Sequence, residues 1–232
     1  KNHFFKEVNE FTISKEGTVA VSMPNNVKLI LPAHGFIEQT IVQDSSAVFN
    51  KLVWDDRGKN LAFLQEFSPN RTANINHKIF SYDVTKCNTK VLNPLAVKDL
   101  EGQNIGYKFG NAPLRFSNDG ERIFFSYSTP HVITDKKAYE IWDSATSLEY
   151  GQNLLFANPD NELKLAVWTL GDGEIIKIGT NKNPKIYLTA DRGHAICYNL
   201  LKYEPQFDYY APSDVYLKNT KTGLESKILD KH

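Results

Sequence analysis

One hairpin written several times constrains this chain more than any other feature. Lys51-Leu52-Val53-Trp54-Asp55-Asp56-Arg57-Gly58-Lys59-Asn60-Leu61-Ala62-Phe63 reads as an apolar strand, a polar turn and a second apolar strand. Asp and Asn suit such a turn because they bond their own backbone, and glycine supplies the positive φ that tight turns need. Leu114 to Phe125 repeats the pattern around Gly120, Tyr187 to Tyr198 repeats it around Gly193, and Phe11 to Val21 is a fainter copy around Gly17. The chain is a repeat protein, and its unit is built on a β-hairpin.

Each hairpin has a pair of further strands after it. Val27 to Leu31 and Phe36 to Val42 follow the first, with Pro32 and Gly35 in the turn between them. After the second come a polar loop (Ser68 to Asn76), the alternating run Lys78 to Val84, a turn at Lys86-Cys87-Asn88 and the strand Thr89 to Leu92. Alternation of apolar and polar residues marks a strand with one exposed face. Asn93 to Gly110 reads as a linker with a helical turn near Leu95 to Leu100, and Phe4 to Val8 as the end of an earlier strand. In the third unit a long insertion, Ser128 to Leu163, carries an extra strand at Tyr139 to Asp143 before the pair Lys164 to Leu170 and Glu174 to Ile178. Gly171-Asp172-Gly173 joins that pair, and Asp-Gly between alternating strands is a strong hairpin signal. The fourth unit closes with Asp214 to Asn219 and Leu224 to Leu229.

Four antiparallel strands per unit, with no long amphipathic helix, point to an all-β β-propeller. Propeller repeats run at about 40–50 residues per blade and place their insertions in loops. The expected organisation is a single segment over residues 1–232, with blades at about 9–48, 49–110, 111–180 and 181–232. Four blades form an open part of a larger ring, whose bare blade faces invite self-association. The second strands Leu61-Ala62-Phe63, Ile123-Phe124-Phe125 and Ala195-Ile196-Cys197 are expected to be buried. A β-sandwich with similar hairpins is the alternative.

Composition excludes several functions. Lys+Arg 27 against Asp+Glu 27 gives no basic excess for nucleic acid or an anionic membrane. No apolar run approaches the ~20 residues of a membrane span. The first residues lack the apolar segment of a signal peptide, and the chain begins without Met, as a processed or trimmed chain would. Cys87 falls in a turn and Cys197 in an apolar strand, so the pair does not indicate a disulfide. The sequon Asn70-Arg71-Thr72 is too common a pattern to place the protein.

The turns Trp54-Asp55-Asp56-Arg57-Gly58-Lys59 and Phe116-Ser117-Asn118-Asp119-Gly120-Glu121 resemble the S-P-D-G-K turns of TolB-type propellers, without their proline. Asp214-Val215-Tyr216-Leu217-Lys218-Asn219-Thr220-Lys221-Thr222-Gly223 resembles the D-I-Y-L-x-D-x-x-T-G element of the same group. The segment Glu140-Ile141-Trp142-Asp143 resembles a V-E-V-W segment of the N-terminal propellers of prolyl-oligopeptidase-type, dipeptidyl-peptidase-IV-like serine peptidases, especially long bacterial ones. That resemblance implies a non-catalytic propeller that caps an active site and restricts access to short peptides. Its partners would be a downstream α/β-hydrolase domain of the same protein and a peptide substrate, in a periplasmic or secreted setting rather than a cytoplasmic one. The alternatives are a stand-alone TolB-type propeller that binds other proteins, and a propeller enzyme working at its central channel.

The residues themselves carry no catalytic, cofactor or metal site. A serine hydrolase of this type needs a G-x-S-x-G elbow. The glycines spaced four apart, Gly102 to Gly106 and Gly106 to Gly110, enclose no serine. The histidines at positions 3, 34, 77, 131, 194 and 232 show no metal-ligand spacing. Gly171-Asp172-Gly173 lacks the following helix of a phosphate loop, and Asp160-Asn161-Glu162 lacks the ligand alternation of a calcium loop. Trp54-Asp55 ends a first strand rather than the third strand of a WD repeat, and no Gly-His precedes it or Trp142-Asp143. The remaining candidate is a contact surface on the loop Tyr203 to Tyr210, through Tyr203, Phe207, Tyr209 and Tyr210, because aromatic side chains supply stiff amphipathic area for binding. The competing role for these rings is to cover the end of their own blade.

Overall fold

The computed structural model describes residues 4–32, 35–67, 75–106, 114–129, 163–204 and 211–232. The insertion strand at Tyr139 to Asp143 and the sequon at Asn70 lie outside the described residues. The strands form four antiparallel sheets, none of them closed on itself. The first contains β1 (Glu10–Ile13), β2 (Val19–Met23), β3 (Asn26–Leu31) and β4 (Ile37–Gln43), in that order. The second contains β5 (Val48–Trp54), β6 (Asn60–Phe67), β7 (Asn76–Asp83) and β8 (Asn88–Leu92). The third runs β10 (Arg115–Phe116), β11 (Arg122–Ser128), β12 (Lys164–Thr169) and β13 (Ile175–Lys177), with β9 (Asn104–Ile105) also paired to β11. The fourth runs β14 (Lys185–Leu188), β15 (His194–Tyr198), β16 (Val215–Asn219) and β17 (Glu225–Leu229). The chain divides into two compact units, one of residues 1–126 with 168–175 and one of 127–167 with 176–232.

The hairpin signature folds as its chemistry requires. The N–H groups of Gly17, Gly58 and Gly120 donate to the carbonyls of Ser14, Asp55 and Ser117 at 2.9–3.0 Å. Each of those three residues then turns its side chain back on the loop. Ser14 Oγ accepts from Thr18 N at 3.1 Å, Asp55 Oδ1 from Lys59 N and Asn60 N at 2.7 and 3.1 Å, and Ser117 Oγ from Arg122 N at 3.1 Å. The fourth copy departs from the sequence reading. There Arg192 N donates to Thr189 O at 2.8 Å, and Arg192, at φ 58, takes the left-handed position expected of Gly193. Thr189 Oγ1 accepts from His194 N at 3.1 Å, as Ser117 does from Arg122. The hydroxyl or carboxylate that opens the turn sets the register, and the glycine follows it only when present at the third place.

In the first unit the core joins the faces of two sheets. Ala20, Val27 and Leu29 of the first sheet are buried with Phe49, Leu52, Leu61, Phe63, Phe80 and Tyr82 of the second and with Ala47 just before β5. Phe63 and Phe80 stack with centroids 5.1 Å apart, and Phe49 meets each edge-on at 5.9 and 6.1 Å. Edge-to-face and offset contacts of this kind add to area burial because ring edges are electropositive and faces electronegative. β5 bulges between Asn50 and Val53, with Lys51 at φ 56, and the freed Lys51 N donates to Glu10 Oε2 of β1 at 2.6 Å. Successive turns also meet here. A Cβ built on Gly58 would lie 3.2 Å from Ser14 Cβ, and one on Gly120 would lie 2.8 Å from Asp55 Oδ2 and closer still to Arg57. Glycine at 120 is therefore required twice, for its φ of +66° and for the carboxylate against it.

In the second unit β15 carries Ala195 and Cys197 on one face and Ile196 on the other. Leu61, Ala62, Phe63, Ile123, Phe124 and Phe125 are all buried as expected of second strands, but Ile196 is 36% exposed. Strand alternation sends it to the same side as Tyr187, which is 63% exposed and whose ring lies parallel to that of Tyr198 with centroids 6.1 Å apart. On the inner side Cys197 Sγ lies 3.7 Å from the Ile178 carbonyl, and burial pushes its thiol pKa up to about 11. Cys87 is exposed, and both thiols are free. Tyr127 donates to the Gly179 carbonyl at 2.7 Å, and burial raises its phenol to about 12.

One other expectation fails, and one holds in part. Phe4 to Val8 is not a strand; Phe4 is 87% exposed, and regular pairing starts only at Glu10. The helical turn expected near Leu95 to Leu100 is present as 3-10 turns at Pro94–Ala96 and Lys98–Leu100, but the stretch also holds β9, which runs along β11.

Candidate functional site

Tyr203, the first residue of the aromatic loop singled out in the sequence, belongs to a polar knot. Asp214, the residue before β16, is buried, and its side chain has no solvent exposure. Tyr203 and Tyr216 both donate to it, at 2.7 and 3.3 Å. Lys227 Nζ reaches its Oδ2 at 2.8 Å, Lys202 Nζ bonds the same oxygen, and Lys231 N donates to Oδ1 at 3.0 Å. A buried carboxylate survives only when its lone pairs are met in this way. The Lys202 ammonium, with Lys227 next, holds the Asp214 carboxyl far below the usual carboxylate range. The reciprocal effect raises both lysines, Lys202 and Lys227, through their bonds to Asp214. The hydrogen bond that Tyr203 donates to Asp214 likewise raises its phenol, since ionisation would forfeit that bond.

Of the predicted contact residues, Tyr203 is therefore an anchor, tied at its hydroxyl and half-buried. Phe207, Tyr209 and Tyr210 lie outside the described residues. Sequence reasoning missed the lysines. Lys202 and Lys231 stand over the Tyr203 ring, at 5.1 and 5.5 Å from its centre. Lys182 and Lys227 stand over Tyr216, at 5.1 and 5.9 Å. These positions are scattered from 182 to 231 in sequence, and only the pairing of β15, β16 and β17 assembles them. The available signal was Asp214 itself, an acidic residue at the start of an apolar strand.

The first unit offers a cleft of about 580 Å³. Arg57, Asp83, Lys86, Lys90, Glu121 and the backbone at Gly171 lie along it. Its cations are already engaged: Arg57 with Asp55 at 3.5 Å, Lys86 with Asp83 at 3.2 Å, and Lys90 with the Leu170 carbonyl. Among the described residues no group of three or more His, Cys, Asp and Glu could hold a metal ion, and no helix is long and apolar enough to cross a membrane.

With this geometry in place the chain can be set beside known proteins. It superposes on the dipeptidyl peptidase 4 of Porphyromonas gingivalis with a TM-score of 0.57, at 13% identity, over 99% of this chain and 33% of that one. A Bacteroides ovatus protein described as a dipeptidyl aminopeptidase IV gives 0.52, at 13% identity, over 94% of this chain and 30% of that one. The fold is that of a β-propeller. TolB from Acinetobacter baumannii is matched at 13% identity over 90% of this chain and 40% of that one, but its TM-score of 0.37 carries no weight. The chain spans between 30 and 40% of the length of these proteins. No protein-family model and no curated sequence matches it.

Proposed function

We propose that the chain is a non-catalytic β-propeller segment of a prolyl-oligopeptidase-type serine peptidase, where it caps the active site and limits access to short peptides. The observation that supports this best is the superposition of 99% of the chain on one third of a dipeptidyl peptidase. The sequence agrees with a segment that does no chemistry itself, since no G-x-S-x-G elbow occurs in it. Peptide hydrolysis needs a serine, a histidine base and an oxyanion hole in one geometry. His77 instead spends Nδ1 on the Ile105 carbonyl at 2.8 Å, and His194 faces the Asn219 amide at 3.4 Å. In this reading cleavage belongs to an α/β-hydrolase domain of the same protein, and the propeller selects by size.

The test compares the 232-residue chain with the complete product of its reading frame. The chain alone leaves chromogenic dipeptide substrates intact and is not labelled by a serine-directed fluorophosphonate. The complete product cleaves them and takes the label outside these residues. Label on a serine within the chain, or a complete product that neither cleaves nor labels, overturns the reading.

A further inference from the structure

The polar knot carries more positive charge than it uses. Four ammonium groups surround the two tyrosine rings that share Asp214: Lys202 and Lys231 at Tyr203, Lys182 and Lys227 at Tyr216. Among the described residues, Asp214 and Asp230 pair with them. Asp214 takes Lys202 and Lys227, and Asp230 takes Lys227 a second time at 2.8 Å. Lys182 and Lys231 meet no carboxylate among the described residues, and both are exposed. Each is held above a ring that is itself hydrogen-bonded to a buried charge, so the two ammonium groups are positioned rather than trailing in solvent.

We propose that this face of the second unit binds an acidic polypeptide segment, whose carboxylates pair with Lys182 and Lys231. The inference stands apart from the reading of the chain as a peptidase propeller. Charge complementarity identifies the partner: an excess of fixed cations attracts and orients an acidic surface. The details favour peptide carboxylates over a phosphate polymer or a lipid surface. All four cations are lysines, and none offers the planar fork with which arginine grips phosphate. The chain as a whole has no net charge, so attraction is confined to this cluster and suits a short acidic segment rather than a long polyanion. Asp230 at the edge of the cluster, 75% exposed along its side chain, limits the anionic stretch that fits to a short one.

The experiment is fluorescence anisotropy with fluorescein-labelled octaglutamate and the 232-residue chain at low salt. The expected result is saturable binding that weakens as salt is added, with no binding of an octaglutamine control. Lys182→Gln with Lys231→Gln weakens it about fivefold while the melting curve is unchanged, since exposed pairs contribute modestly and do not hold the fold. Lys221→Gln, at the other end of β16, leaves it as it was. Absence of octaglutamate binding, indifference to the double substitution, or an equal effect from Lys221→Gln overturns the proposal. So does tighter binding of a single-stranded DNA oligomer or of phosphatidylserine vesicles, which are run in parallel.

Discussion

The second and fourth sheets start from the same hairpin and are secured differently. Phe49, Phe63 and Phe80 interlock in the second, with rings no more than 6.1 Å apart and no exposure for Phe49 and Phe63. In the fourth, Tyr187 and Ile196 stay on an open side, all of β17 is exposed, and the ordered centre is a carboxylate bound by lysines and tyrosines. A repeated local signature therefore fixes the hairpin but leaves open what the sheet packs with. Apolar packing gains in proportion to area and needs no particular geometry. A buried ion cluster holds only while every member is present.

The widest gap between the two should appear on truncation. Phe63→Ala removes a ring with two aromatic neighbours and should cost about 3–5 kcal/mol, read as a lower urea midpoint. Ile196→Ala, on the open side of the fourth sheet, should stay within about 1 kcal/mol. Equal losses would mean that the fourth sheet is packed as tightly as the second.

Next in size is the contact between turns. Gly120→Ala puts a Cβ against Asp55 at a positive φ and should destabilise by about 1–3 kcal/mol. Gly171→Ala, in a turn where nothing lies within 4 Å of the added atom, serves as its control and should cost less. If thermal melts of the two variants coincide, the stacking of successive turns contributes nothing.

A smaller, pH-dependent effect belongs to the second sheet. Burial keeps the His77 imidazole below its ordinary 6.5, and the Ile105 carbonyl only partly offsets this. The unfolded chain thus binds a proton that the folded chain refuses, so stability from His77 is complete above that value and is lost as pH falls through it. Urea midpoints should drop between about pH 7.5 and about pH 5.5, and His77→Asn, which keeps a donor for Ile105, should flatten the drop. An unchanged slope would assign the pH dependence to other groups.

Much of this was legible in advance, and the failures have physical causes. Turn chemistry and alternation are local, so the hairpins at Gly17, Gly58 and Gly120 and the outer pairs could be read directly. β9 could not, because two residues paired to β11 leave no period to detect. The lysines around Asp214 are invisible for a different reason: their meeting depends on sheet order, and nothing at positions 182, 202, 227 or 231 signals it alone. Tyr203 was found as an aromatic on a loop, but its hydroxyl bond to Asp214 depends on sheet order and could not be read in advance.

The smallest effect tests the one turn that was misread. Ser14, Asp55, Ser117 and Thr189 open the four turns, and the third residue after each takes a positive φ: Gly17, Gly58, Gly120 and Arg192. A side chain in the left-handed region costs roughly 1 kcal/mol relative to glycine, while glycine loses more freedom on folding and returns part of that difference. Comparing Arg192→Gly with Arg192→Ala cancels the loss of the arginine side chain, and glycine should be the more stable by about 0.5–1 kcal/mol. The neighbouring position should behave the other way. Gly193 is outside the left-handed region, and its added Cβ would meet the exposed Asp191 carboxylate at 3.0 Å, a side-chain end free to shift, so Gly193→Ala should cost less than Gly17→Ala, where space is open and only the φ of +82° opposes a side chain. Urea titrations of the four variants decide it. Should Gly193→Ala prove the costlier and Arg192→Gly no better than Arg192→Ala, the left-handed position of the fourth turn belongs to Gly193, and the opening hydroxyl does not set the register.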